Sequence, residues 1–86
     1  MIFKCFSIFD SKIGSYSKPV FLRSKGEAIR AVTSEVQSKE SELSKYPADF
    51  TLFEVGEYDD DTGTMIPAAA NISIGCCIEF VLELEK

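Results

Sequence analysis

The feature that most constrains this chain is a hairpin signature, FTLFEVGEYDDDTGTMI, at residues 50–66. Aromatic and β-branched residues, which favour strands, stand on both sides of a polar segment at residues 59–63. Aspartates accept hydrogen bonds from nearby backbone N–H groups, and Gly63 can adopt the positive φ that closes a short loop with a bulge. The pattern predicts two antiparallel strands, and therefore a fold that contains an antiparallel sheet.

The first half of the chain adds two strands and a helix. Ile2–Asp10 carries apolar residues on both alternations and is predicted to be a strand. Pro19–Arg23 is a second, shorter strand, whose proline fits a first or edge position because no ladder donor is needed there. Ser24 and Glu27 form a capping box, and apolar residues at helical spacing follow it. This spacing predicts a helix over residues 25–38.

The end of the chain has the most regular alternation. Residues 67–71, PAAAN, are interpreted as a linker. From Ile72 to Leu84, every even-numbered position is apolar or cysteine. Period two predicts a strand over residues 72–84, bent near Gly75, with a helix as the alternative because the segment is short and ends in glutamates. The element order is then ββαβββ. It predicts one α+β domain over residues 1–86, with an antiparallel sheet of four to five strands packed on one amphipathic helix.

One helix covers only one face of a sheet, so the other face is expected to retain aromatic side chains. The candidates for this second face are Phe3, Phe9, Phe50 and Tyr58. An exposed aromatic patch on a small domain usually marks an interface, either with a second copy of the chain or with stacked bases.

The sequence has few of the residues that catalysis or metal binding requires. The 86 residues include no histidine, which removes the commonest general base and metal ligand. Cys5, Cys76 and Cys77 are interpreted as free thiols in a reducing cytoplasm. No nucleophile–base pair or phosphate loop occurs, and no apolar run reaches the ~20 residues of a membrane span. We therefore expect no enzyme activity, no catalytic residue, no cofactor and no membrane contact.

Two acidic groups near the hairpin turn are candidate sites. Asp59, Asp61 and Gly63 resemble part of a calcium loop, but the bidentate glutamate that such a loop needs is missing downstream. Glu54 and Glu57 are three residues apart in a strand, so they are predicted to lie on opposite faces and not to converge. No metal site is predicted.

Charge is divided unevenly along the chain. The net charge is −5, with +3 on residues 1–48 and −8 on residues 49–86. The division fits two differently charged surfaces of one domain, or a basic patch for an anionic partner. Positive charge for phosphate and rings for stacking are what a single-strand contact surface needs. The candidate nucleic-acid-binding residues are Lys12, Tyr16, Lys18, Phe21, Arg23, Lys25 and Arg30.

Three blocks in order, FSIFDSK, FLRSKGEAIRA and PADFTLFEVGEYDDDTG, resemble the small non-structural protein of gokushoviruses, single-stranded-DNA phages of the microvirus family. The resemblance covers about residues 5–65 and implies a non-structural phage protein made in the host bacterial cytoplasm. The family is usually compared with the microvirus protein that switches replication to single-strand synthesis and packaging. No catalytic residue is assigned in the family.

Two functions remain open from the sequence. In the first, the protein binds single-stranded DNA, or the replication complex that holds it, and couples viral DNA synthesis to packaging. In the second, it is a homodimeric adaptor that acts on a phage or host protein without touching DNA. The sequence does not decide between them.

Overall fold

A computed structural model describes the backbone of residues 1–84 and the side chains of residues 1–81. It is an α+β fold with one antiparallel five-stranded sheet, as the sequence predicts. The strands are β1 (Ile2–Asp10), β2 (Ser15–Tyr16), β3 (Val20–Leu22), β4 (Phe50–Asp59) and β5 (Thr64–Cys76). The helices are α1 (Lys25–Gln37), α2 (Glu42–Lys45), a 3₁₀ turn (Pro47–Asp49) and α3 (Cys77–Leu84).

The strands are ordered β2-β1-β4-β5, and β3 also pairs with β1. Since β4 pairs along the whole length of β1, β2 and β3 together occupy the opposite edge of β1. The predicted hairpin is confirmed as β4 and β5. Its turn is closed by the Gly63 N–H, which donates to the Asp59 carbonyl at 2.8 Å, and Gly63 has a φ of +71°. The sheet therefore has two free edges, β2/β3 and β5.

The core lies between the sheet and the helices α1 and α3. Ser24 caps α1, its side chain accepting from the Glu27 N–H at 3.3 Å. The helix ends at Gln37, one residue before the predicted end. Its apolar stripe packs with Phe6 of β1 and with Phe50 and Leu52 of β4. The buried core residues are Phe6, Ala28, Val32, Val36, Phe50, Leu52, Cys77 and Phe80.

Two predictions for the C-terminal region are wrong. Residues 67–71 are part of β5 and not a linker, and the strand ends at Cys76, where α3 begins. The alternation predicted a strand, but Cys77, Phe80 and Val81 also have helical spacing. The helix buries Cys77 and Phe80 in the core. A side chain at Gly75 would come within 3.2 Å of the Phe80 ring, so glycine leaves room for α3 to fold back.

A bulge at Val55 overturns another prediction. Glu54 pairs with Phe6 and Gly56 pairs with Cys5, so Val55 is an extra residue on β4. The extra residue shifts the alternation by one position. Glu54 and Glu57 therefore lie on the same face, the helix side, and not on opposite faces.

Lys4 shares the helix side of the sheet with these two glutamates. It stands opposite Glu57 in the register, and its Nζ lies 3.6 Å from the Glu54 carboxylate. Because the Lys4 side chain is 38% exposed, this ion pair contributes little to stability.

The bulge leaves no space for a side chain at Gly56. A Cβ there would stand 2.5 Å from the Ile66 carbonyl oxygen of β5. We expect Gly56→Ala to lower the free energy of unfolding by about 1–3 kcal/mol, because backbone atoms must move apart. Urea denaturation measures this.

The matched control is Gly26→Ala in α1, where the new Cβ would meet only the Ser24 hydroxyl at 3.8 Å. Alanine in a helix should raise the unfolding free energy by about 0.5 kcal/mol. A Gly56→Ala protein as stable as the unmodified chain would contradict the proposed crowding at the bulge.

Candidate nucleic-acid interface

The sheet face turned away from α1 and α3 is called the open face. Its members follow from the register: the odd-numbered residues of β1 and the residues that pair with them across the sheet. The open face consists of Phe3, Cys5, Ser7, Phe9, Tyr16, Phe21, Thr51, Phe53, Gly56, Tyr58, Met65, Pro67, Ser73 and Cys76. None of these register positions carries a charged residue, whereas the other face carries Lys4, Glu54 and Glu57.

Aromatic rings form two groups on the open face. The first group has ring centroids 4.9 Å apart for Phe9 and Tyr16, and 5.6 Å apart for Tyr16 and Phe53. The second pairs Phe21 with Tyr58 at 5.4 Å. Tyr16 and Phe21 are each 44% exposed, so both rings are accessible to a partner.

Three of the four aromatics expected on the second face lie there: Phe3, Phe9 and Tyr58. Phe50 does not, because it stands on the other alternation of β4 and is buried beneath the helices with 8% exposure. Phe53 was the aromatic that sequence reasoning missed. Strict alternation puts Phe53 on the face opposite to Phe50, so the expectation that Phe50 lies on the open face excluded Phe53 from it.

Hydrogen bonds to Ser17 hold the edge that carries Tyr16 and Phe21. The Ser7 hydroxyl donates to the Ser17 carbonyl at 2.7 Å, and the Ile8 N–H donates to the Ser17 hydroxyl at 3.0 Å. These bonds tie the short connection between β2 and β3 to β1. Tyr16 and Phe21 pair with β1 residues four positions apart, so their backbones are separated by ~13 Å along one edge.

The five candidate cations are all exposed, but they do not lie on the open face. Lys12 is in the β1–β2 turn, Lys18 in the β2–β3 connection, and Arg23 between β3 and α1. Lys25 and Arg30 are on α1, which covers the opposite face. The structure therefore brings the cations to the β2/β3 edge and the neighbouring helix, beside the exposed rings and not among them. Among the side chains of residues 1–81, none of the five forms an ion pair.

A small cleft of about 160 Å³ lies between α1 and the β2/β3 edge. Its lining is mostly apolar, with Val20, Leu22 and Val32 among its residues and Lys18 and Glu35 as its charged ones. Its polar lining residues are Ser7, Ser17, Lys18 and Glu35.

Acidic side chains gather at the hairpin turn. Oxygens of Asp59, Asp60 and Asp61 lie within 4.8 Å of one another. The amino group of Met1 contacts two of them, at 2.6 Å to Asp60 and 3.0 Å to Asp61. These hydrogen bonds raise the pKa of the amine to about 10. The cluster is solvent-exposed and serves to join the start of β1 to the turn.

The buried cysteine thiols are expected to be poor nucleophiles. Cys5, Cys76 and Cys77 are all free. Burial raises the pKa of Cys5, and burial together with the neighbouring Cys76 raises the pKa of Cys77 from 9.0 to about 12. The thiolate is the reactive form, so these environments disfavour nucleophilic use.

We expect iodoacetamide at pH 8 to modify the half-buried Cys76 in the folded protein and to leave Cys77 unmodified. At four pH units below its pKa, only about one Cys77 thiol in 10⁴ is ionised. Burial also favours the neutral thiol, so its contribution to stability is present below pH 9 and is lost as the pH rises towards 12. Tandem mass spectrometry separates the two sites, and urea should expose both. Equal native labelling rates would contradict the burial of Cys77.

These observations define the class: a small, single-sheet α+β protein with an uncharged aromatic face and cations at one edge. Within that class, the chain belongs to the phage ORF5 protein family, whose model matches residues 3–80. The match extends from the second residue of β1 into α3, so it includes the core and all of the sheet except Ile2. Comparisons with curated proteins and with solved structures found no match. Through residue 84, no helix combines the length and the apolar character that crossing a membrane requires.

Proposed function

We propose that this phage protein is a non-enzymatic, non-structural protein of a gokushovirus that acts in the host bacterial cytoplasm. It binds single-stranded DNA, or the replication complex that holds it, and helps to couple viral DNA synthesis to packaging. The observation that supports this function best is the pair of exposed rings, Tyr16 and Phe21, beside cations that have no acidic partner within the described side chains.

This arrangement of rings and cations would suit the following path for single-stranded DNA. Bases stack on Tyr16 and Phe21 at the margin of the open face, while phosphates run along the β2/β3 edge past Lys12, Lys18 and Arg23. Stacking on aromatic rings tolerates any sequence, because every base has a π-face. Such sequence tolerance is what a protein acting on a whole genome requires.

The charge distribution sets the strength of this binding. No acidic residue occupies a register position on the open face, so phosphate can approach the rings without direct repulsion. The net charge of −5 nevertheless opposes the approach of DNA at long range. We therefore expect weak binding that depends steeply on salt concentration.

Tyr16→Ala and Phe21→Ala should each weaken binding of a fluorescein-labelled oligonucleotide by about tenfold, measured by fluorescence anisotropy at low salt. A lost base–aromatic stack accounts for this effect, since one stack is worth ~1–3 kcal/mol. The matched control is Tyr46→Ala, which removes a ring that is 59% exposed at the C-cap of α2 and holds no register position on the open face. No binding at low salt, or equal losses in all three variants, would remove the proposal.

Neutralising a phosphate contact should also change the salt dependence. Arg23→Gln is expected to reduce the slope of log K against log salt by about 0.7, the value for one released counterion on a single strand. Lys45→Gln removes the same charge at the last residue of α2, which is not among the proposed phosphate contacts, and should leave the slope unchanged. Indistinguishable slopes for the two variants would show that binding reflects net charge alone.

A second function is supported by the apolar character of the open face. Uncharged surfaces rich in tyrosine and phenylalanine are typical of the centres of protein interfaces. In this alternative the protein is a homodimeric adaptor acting on a phage or host protein, without direct DNA contact. Tagged protein recovered from infected cells should then retain its partner after nuclease treatment. Loss of the partner on nuclease digestion would favour the DNA-binding function.

A further inference from the structure

The two edges of the sheet are built differently. The β2/β3 edge is interrupted at residues 17–19 and carries Lys18, Pro19 and Arg23, features that discourage further strand pairing. The β5 edge, Thr64–Cys76, is a strand of 13 residues with no charged residue in it, although it contains Pro67 and its pairing with β4 is broken by extra residues at 68–71 and at Ile74. Ile66 and Ile72 on this strand are 42% and 55% exposed. Natural sheets protect a long edge with charges, prolines or bulges; on β5 the proline and the bulges fall within residues 67–74, and no charge is present.

Part of β5 lacks a partner even within the chain. Gly56 pairs with Pro67 and Glu54 pairs with Ile72, so the four residues 68–71 face only Val55 of β4. These residues nevertheless keep an extended conformation. An extended segment without a full partner on its own sheet is suited to pairing on its outer side.

We propose that β5 pairs with β5 of a second copy of this chain, antiparallel, and joins the two sheets edge to edge. A two-fold symmetric contact places the same surface on both sides, so any charge on that surface would face its own copy. An uncharged strand avoids this repulsion.

The nearest acids do not oppose such pairing. Glu54 and Glu57 lie one strand away on β4, so across the contact they would be separated from their counterparts by three strand spacings, ~14 Å. That separation exceeds the Debye length of ~8 Å at physiological ionic strength, and their repulsion is largely screened.

The size of the contact predicts its strength. A strand of 13 residues against a sheet ~10 Å thick buries roughly 400 Å² on each copy, about 800 Å² in total. Stable interfaces bury ~1,200–2,000 Å², so we expect reversible association at micromolar concentrations. This pairing does not depend on the proposed DNA-binding function. With the two-fold axis perpendicular to the sheet, both open faces would remain on one side and uncovered.

Sedimentation velocity from 1 to about 200 µM tests the pairing. Ile72→Lys should weaken dimerisation about tenfold, because a lysine on β5 would lie close to its own copy across the contact. The matched control is Val20→Lys, which makes the same charge change on the other edge at a position 53% exposed, against 55% for Ile72. It should leave dimerisation unchanged. Both changes make the net charge of −5 less negative, so neither acts by increasing the overall repulsion between two copies.

Circular dichroism establishes that both variants are folded. The proposal is overturned by a chain that stays monomeric up to about 200 µM, by equal weakening in both variants, or by assemblies larger than a dimer. It is also overturned if Tyr16→Ala and Phe21→Ala abolish dimerisation, since the contact would then use the open face. The anisotropy titrations measure DNA binding separately, so either proposal can fail alone.

Discussion

The structure depends on the burial of Phe6 and Leu52 between the sheet and the helices α1 and α3. These side chains come from neighbouring central strands, and both are almost completely inaccessible, at 0% and 2% exposure. Their burial supplies the apolar contact that holds α1 over β1 and β4 and gives α3 a surface to fold back on. Because both helices are committed to this one face, neither of them covers the opposite face of the sheet, where Cys5 and Ser7 are nevertheless buried.

The uncovered face has a consistent character. Its strand positions are aromatic, aliphatic or small and polar, while the charged strand residues Lys4, Glu54 and Glu57 share the helix side. A bulge of one residue at Val55 keeps this separation across the length of β4, since without it Glu57 would fall on the open face. Family membership and this uncharged face are the two facts from which the proposed binding functions start.

Local signals in the sequence predicted much of the architecture. The capping box at Ser24 located α1 to within one residue of its end, because capping and helical spacing are properties of one short segment. The Asp-rich turn with Gly63 located the β4–β5 hairpin for the same reason. The candidate rings Tyr16 and Phe21 were recognised from composition, but their placement on one face required the pairing of β2 and β3 with β1.

By itself, the sequence determined the α+β class, the capped helix, the hairpin and the absence of histidine chemistry. Only the tertiary structure decided that residues 77–84 form a helix, that Phe50 is buried, and that Glu54 and Glu57 share a face. The physical reason is common to all three. An apolar pattern with two compatible periods, or a strand with an extra residue, acquires its final arrangement from the surface against which it packs.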